Sequence, residues 1–194
     1  MPMPRLVLFT RYPEAGKAKT RLIPALGDAG AAAVHKQLAE RTVSVMRESG
    51  LPIEIRFTGA PQAKFEKWLG ADLAYVEQGD GDLGDRLRDE SKDTPVIFVG
   101  ADCPDLQPSL LQQAAAALKG NDVVIGPAED GGYWLIGLAA PHDWLFSDME
   151  WGTDAVLPET LKRLDARGIT PALLETLADC DRPEDLGRWP WLTA

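Results

Sequence analysis

Four cations, Arg11, Lys17, Lys19 and Arg21, fall in one short stretch, Arg11-Tyr12-Pro13-Glu14-Ala15-Gly16-Lys17-Ala18-Lys19-Thr20-Arg21-Leu22. Gly16 lets the backbone approach a ligand closely, and exposed amides in such loops form anion-binding nests. Lysine supplies a point charge and arginine a bidentate fork for phosphate oxygens. The spacing is not that of a Walker loop, whose lysine follows glycine directly and precedes Ser or Thr at a helix start. A solvated basic loop is the plainer alternative, but its place directly after the first strand favours phosphate binding.

Two carboxylates complete the pattern. Asp102 follows Val96-Ile97-Phe98-Val99-Gly100-Ala101, and Pro104 forces the chain out of any sheet just beyond it. Asp105 and Ser109 are better placed to cap the helix that Pro108 opens, which leaves Asp102 free for chemistry. Asp181, in Asp179-Cys180-Asp181-Arg182-Pro183-Glu184-Asp185-Leu186, either caps a terminal helix or stands as a second functional carboxylate. A hard cation such as Mg²⁺ takes one or two carboxylates and completes its octahedron with phosphates and water. Asp102 and Asp181 are therefore expected to meet and share a metal. Cys103 and Cys180 should then lie close by, buried and reduced, since side chains alternate along extended backbone and soft sulfur suits Mg²⁺ poorly.

A third group is Ala128-Glu129-Asp130-Gly131-Gly132-Tyr133. Paired glycines permit close approach, and Asp130 can accept hydrogen bonds from hydroxyls or act as a base. Asp130 is expected to be catalytic, with Gly131, Gly132, Tyr133, Trp151 and Thr153 on the substrate side. A hairpin turn alone also explains the glycines. No Ser-His-Asp or Cys-His pairing supports acyl chemistry, and His35 fits packing better than ligation.

The elements that must position these residues alternate. Strands are expected at 5–10, 52–57, 73–76, 96–99, 123–127, from Tyr133 onward and at 170–176. Helices are expected at 28–49, 61–69, 85–92, 108–118 and 155–164. Gln78-Gly79-Asp80-Gly81-Asp82-Leu83-Gly84 reads as a solvated turn with a helix cap. Val96 to Val99, uninterruptedly apolar, is the mark of a strand buried on both faces in a parallel sheet, whose carboxyl end is where ligands bind. The hairpin before Tyr133 predicts a mixed sheet with one antiparallel edge. One three-layer α/β domain over 1–194 accounts for the pattern.

Composition narrows the partners. The net charge of −10 argues against nucleic acid or anionic membrane. Residues 1–22 carry Arg5, Arg11, Lys17, Lys19 and Arg21 against Glu14 alone, a local +4 that leaves −14 elsewhere. That contrast suits a small anionic ligand. With two cysteines and no signal-like or membrane-spanning stretch, the expected location is cytoplasmic.

Taken together, Phe9-Thr10-Arg11-Tyr12-Pro13, Gly16, Lys19-Thr20-Arg21-Leu22, Gly100-Ala101-Asp102-Cys103-Pro104, Gly126 to Tyr133 and Asp181 to Leu186 resemble the domain-of-unknown-function 2064 (DUF2064) family. Its members are often labelled glycosyltransferase A or radical-SAM/selenodomain-associated transferases. The family is similar to the nucleotide-diphospho-sugar transferase superfamily, including phospholactate guanylyltransferases and molybdenum-cofactor nucleotidyltransferases. The resemblance implies a GT-A (Rossmann-like) fold, a phosphate loop bearing Lys19 and Arg21, and Asp102 as a metal ligand. It also implies Asp181 as the second ligand, by analogy with an Asp-Thr-Pro-Glu-Asp motif from which this chain departs at Arg182. The loop is poorer in glycine than in the superfamily's nucleotidyltransferases. The expectation is a Mg²⁺- or Mn²⁺-dependent transferase using a nucleotide or nucleotide-sugar and a small-molecule acceptor, foremost a glycosyltransferase. A nucleotidyltransferase releasing pyrophosphate is the alternative, and a non-catalytic nucleotide-binding module a third.

Overall fold

Alternating burial builds the sheet. In β1 (Arg5–Arg11), Leu6 and Leu8 face one core while Val7 faces another; in β4 (Val96–Val99), Ile97 and Val99 share the first core and Val96 and Phe98 the second. Strands apolar on both faces need a covering layer on each side. A computed structural model of the chain, which describes residues 2–193, shows those layers. The helices α1 (Ile23–Glu48), α2 (Gln62–Leu69) and α4 (Pro108–Ala117) cover the first core. The helices α3 (Leu83–Glu90) and α5 (Val156–Asp165) cover the second. Each fully buried Leu, Ile or Phe contributes about 1.5–3 kcal/mol of transfer free energy.

With β2 (Ile53–Thr58), β3 (Ala74–Glu77), β5 (Val123–Pro127), β6 (Tyr133–Leu138) and β7 (Ala172–Leu173), the sheet has seven strands in the order β3-β2-β1-β4-β6-β5-β7. All pairings are parallel except the two made by β6. The fold is the expected mixed, mostly parallel three-layer α/β arrangement. One detail differs: the antiparallel strand is interior, not at an edge. β6 folds back into the space between β5 and β4, because its Trp134, Leu135, Ile136 and Leu138 are too apolar for an edge.

The order also reveals a switch point. From β1 the chain winds outward to β2 and β3, then crosses back to lay β4 on β1's other side. Connections leave β1 and β4 in opposite directions, and the crevice between their carboxyl ends is where open α/β sheets bind ligands.

Several local expectations change. α1 begins at Ile23, before the expected start, and Gly27 breaks its first turn at φ 69°, ψ 172°. α4 has Gln107 at its N-cap without a side-chain bond, so neither Asp105 nor Ser109 caps it. Asp105 instead accepts the indole N–H of Trp189 at 3.1 Å. The last strand shrinks to two residues, and the terminal helix is a short 3₁₀ turn, Pro183–Arg188. Asp181 does not cap it; the Asp185 carboxylate reaches back to the amides of Asp181 (3.0 Å) and Arg182 (2.7 Å). A third small core, of Leu22, Val34, Leu38, Cys180, Trp189 and Leu192, clamps this tail against α1.

Candidate active site at the switch point

The cationic loop leaves β1 and the Asp102 turn leaves β4, so both open onto the switch-point crevice, a cleft of about 860 Å³. Asp181 arrives by a different route. After β7, Leu177 bridges to Ala128, and the Cys180 amide donates to the Asp102 carbonyl at 2.7 Å. This lays the acidic turn beside the Asp102 turn.

Asp102 and Asp181 do come together, on the side chain of Lys19. Its ammonium donates to Asp181 Oδ1 at 3.1 Å and to the Cys180 carbonyl at 2.7 Å, and pairs with Asp102 Oδ1 at 2.7 Å. The Lys19 side chain is only 5% exposed. Burial opposes its charge, but Asp102 and then Asp181 outweigh that and hold the ammonium above its usual range. Arg21 donates to Asp181 Oδ2 at 2.5 Å. Burial alone would raise the Asp181 carboxyl, yet Lys19 and Arg21 hold it below the usual carboxylate range. As donors, the two carboxylates suit a hard cation, since each turns an oxygen to one common point. Among the described residues, no three His, Cys, Asp or Glu side chains surround such a point.

The remaining cations of the loop serve locally. Arg11 donates to the Lys17 carbonyl at 2.8 Å and Lys17 pairs with Glu14 at 3.1 Å, while both line the cleft. Gly16 turns the loop at φ 77°. The Cys103 and Cys180 thiols are free and buried, and burial pushes Cys180 up to about 11.

Asp130 lies where the main cleft meets a second groove of about 550 Å³; Arg21, Gly152, Thr153, Asp179 and Asp181 also line both. Its carboxylate accepts the Gly132 amide at 2.8 Å, closing the turn. Gly131 has φ 88°, and a Cβ there would stand 2.6 Å from the Asp154 backbone, so the turn itself requires this glycine. Tyr133 gives the cleft its ring, but its hydroxyl is buried and finds no partner among the described residues. Trp151 packs against Phe146 and Tyr133 in the cleft wall. Thr153 donates to the Glu150 carbonyl and accepts the Ala155 amide, shaping the entry to α5.

Other residues of the cleft were not apparent from sequence. Gln78 donates to the carbonyls of Thr10 (3.1 Å) and Arg56 (2.9 Å) and accepts from Arg86 at 2.6 Å. It thereby fixes Arg86 on the cleft wall, where the guanidinium Nε has no partner among the described residues. Asp82 does cap α3, in a reciprocal box with Asp85, as the turn predicted. The signal that could have found Gln78 and Arg86 is their position after β3, a parallel strand ending at the same rim. His35, on α1, also lines the cleft and contacts the Arg11 carbonyl at 3.0 Å; burial keeps it below its usual range. Burial, then Asp130, holds the Asp179 carboxyl above its own.

A three-layer sheet with a switch-point cleft of this kind defines a class that solved structures share. A candidate nucleotide-diphospho-sugar transferase from Desulfovibrio desulfuricans G20 is 28% identical, with a TM-score of 0.86 over 94% of this chain and 84% of that one. A nucleotidyl transferase from Methanothermobacter thermautotroptrophicus is 17% identical (TM-score 0.64; 97% and 96% covered). Mycobacterium tuberculosis H37Rv Rv0371c in complex with manganese is 16% identical (TM-score 0.57; 96% and 97% covered). The chain thus has the Rossmann-like fold found in nucleotidyl and sugar transferases. It belongs to the DUF2064 family, described as uncharacterized proteins conserved in bacteria, whose sequence profile matches residues 38–153. No curated protein matches the sequence. Among the described residues no helix is long and apolar enough to cross a membrane.

Proposed function

We propose that this protein is a transferase acting on a nucleotide-activated donor, a nucleotide-diphospho-sugar, with a small-molecule hydroxyl as acceptor. The observation that carries this reading is the gathering of Lys19, Arg21, Asp102 and Asp181 at the mouth of the switch-point cleft. The likeness to the Desulfovibrio protein supports it.

In this reading the donor diphosphate lies against the loop after β1. Lys19 and Arg21 neutralise the charge that develops on the leaving diphosphate. Arg86, fixed by Gln78 on the other wall, brings a further positive charge to the nucleotide. Mg²⁺ or Mn²⁺ belongs to the reading: Asp102 and Asp181 would hold it, and its chemistry is Lewis-acid stabilisation of the leaving phosphate. The acceptor enters through the second groove, whose acidic wall disfavours an anionic one. Its hydroxyl attacks the anomeric carbon as the bond to the diphosphate oxygen breaks, and Asp130 takes the proton. Asp179, with its raised carboxyl, is the neighbouring acceptor for that proton.

The nucleotidyltransferase reading is favoured by the Methanothermobacter likeness. Thermal shift with nucleotide-diphospho-sugars and with bare triphosphates, each with Mn²⁺, separates the two. Stabilisation by diphospho-sugars and release of nucleoside diphosphate support glycosyl transfer; triphosphate-only binding with pyrophosphate release overturns it.

A further inference from the structure

Lys19 is the residue whose placement the transferase reading leaves unexplained. Its backbone is left-handed, at φ 48° and ψ 47°, a region that residues with side chains keep only where the surroundings hold them. That conformation turns the side chain inward, beneath the loop rather than out of it. The ammonium is then enclosed by three oxygens, donating to Asp181 and to the Cys180 carbonyl and pairing with Asp102 at 2.7 Å. With its side chain 5% exposed among these oxygens, Lys19 cannot reach phosphate without leaving them.

A divalent metal needs the same two carboxylates at about 2.1 Å. A dication on the two oxygens that hold the ammonium would face a like charge that lies 2.7 Å and 3.1 Å from those same oxygens. Arg21 already engages the other oxygen of Asp181, so that carboxylate cannot serve both cations by turning. Charge balance points the same way: two carboxylates are neutralised by one dication, or by Lys19 and Arg21 together.

We propose that Lys19 is a built-in cation that holds Asp102 and Asp181 in register, and that a divalent metal displaces it. The freed ammonium then moves onto phosphate oxygens, a second half that rests on the donor reading above. Metal alone must expel Lys19 with no new partner for it, and so binds weakly. Metal together with a diphosphate gives the ammonium an acceptor, and each ligand then strengthens the other by the same factor.

The test uses the full chain, wild type and Lys19→Gln, with Mn²⁺ as probe and binding read from the electron paramagnetic resonance of free Mn²⁺. Lys19→Gln should bind Mn²⁺ alone at least tenfold more tightly than wild type. Adding inorganic pyrophosphate should strengthen Mn²⁺ binding in wild type more than in the variant. A second measurement needs no variant: acetylation of Lys19, read by mass spectrometry, should be slow in the wild-type protein and rise severalfold at saturating Mn²⁺. Equal or weaker Mn²⁺ binding by folded Lys19→Gln, or acetylation unchanged by Mn²⁺, overturns the exchange; if the variant does not fold, the acetylation result decides. Failure of every nucleotide to bind, with the Mn²⁺ and acetylation results as expected, removes the donor reading and leaves the exchange of metal for Lys19 standing.

Discussion

The amide of Cys180 donates to the carbonyl oxygen of Asp102 at 2.7 Å, joining residues 78 positions apart in the chain. That bond and the Cys180 carbonyl's contact with Lys19 place a late acidic turn beside a central strand and beneath the first loop. The three segments of the site are thus assembled by backbone contacts as well as by charge.

Arg21 and Arg86 supply the first prediction. Arg21 is half-exposed, so Arg21→Ala should leave folding nearly unchanged, whereas Arg86→Ala also frees the Gln78 oxygen it bonds at 2.6 Å and should cost about 0.5–1.5 kcal/mol of stability. Each loses a charged hydrogen bond to the nucleotide, worth roughly 1.5–3 kcal/mol, or about tenfold or more in Kd. Isothermal titration with the preferred nucleotide measures it. Unchanged affinity would remove that arginine from the site.

Asp130→Asn keeps an oxygen for the Gly132 amide and so should keep the turn and its melting temperature. Loss of a general base should lower kcat by about 10²–10⁴-fold. Near-normal turnover would return Asp130 to a purely structural role.

Gly131→Ala tests the turn itself. A left-handed φ of 88° and a Cβ 2.6 Å from Asp154 should destabilise the protein by about 1–3 kcal/mol. Urea unfolding reads the change, and a midpoint equal to wild type would show that the turn relaxes freely.

Stability should depend on pH at both extremes through the ion triad. The Asp181 carboxyl is held low in the folded protein, so its contribution is present above the unfolded value of about 3.9 and is lost as pH falls through the folded one. Lys19 is held high, so its contribution is complete below about 10.4 and is lost as pH rises further, towards the folded value. Asp181→Asn should flatten the acid limb of the melting-temperature profile. An acid limb identical in wild type and variant would mean that other carboxylates govern it.

Both thiols should react slowly in the native protein. Cys103 and Cys180 are buried, and a Cys180 thiol pushed up to about 11 holds little thiolate at pH 8. Titration with a disulfide reagent should speed up sharply in denaturant. Two fast thiols in native buffer would contradict their burial.

Much of this protein is legible in its sequence, because strands buried on both faces, helix-starting prolines and turn glycines are local signals. Val96 to Val99, Pro108 and Gly131 each state their role through their neighbours alone. The candidate residues at 19, 21, 102, 130 and 181 stood out for the same reason, as charged groups next to strand ends. Tertiary structure decided how they combine. Sequence could not place β6 between β4 and β5, since strand order follows from how apolar faces are shared across the whole sheet. Nor could it find Gln78, Arg86 or Asp179, or bring His35, read as a packing residue, to the cleft, since their significance lies in which rim their elements reach. Above all, it read Lys19 as a hand held out to phosphate. The structure turns that ammonium inward, because two carboxylates arriving from distant parts of the chain offer a buried cation more than water does.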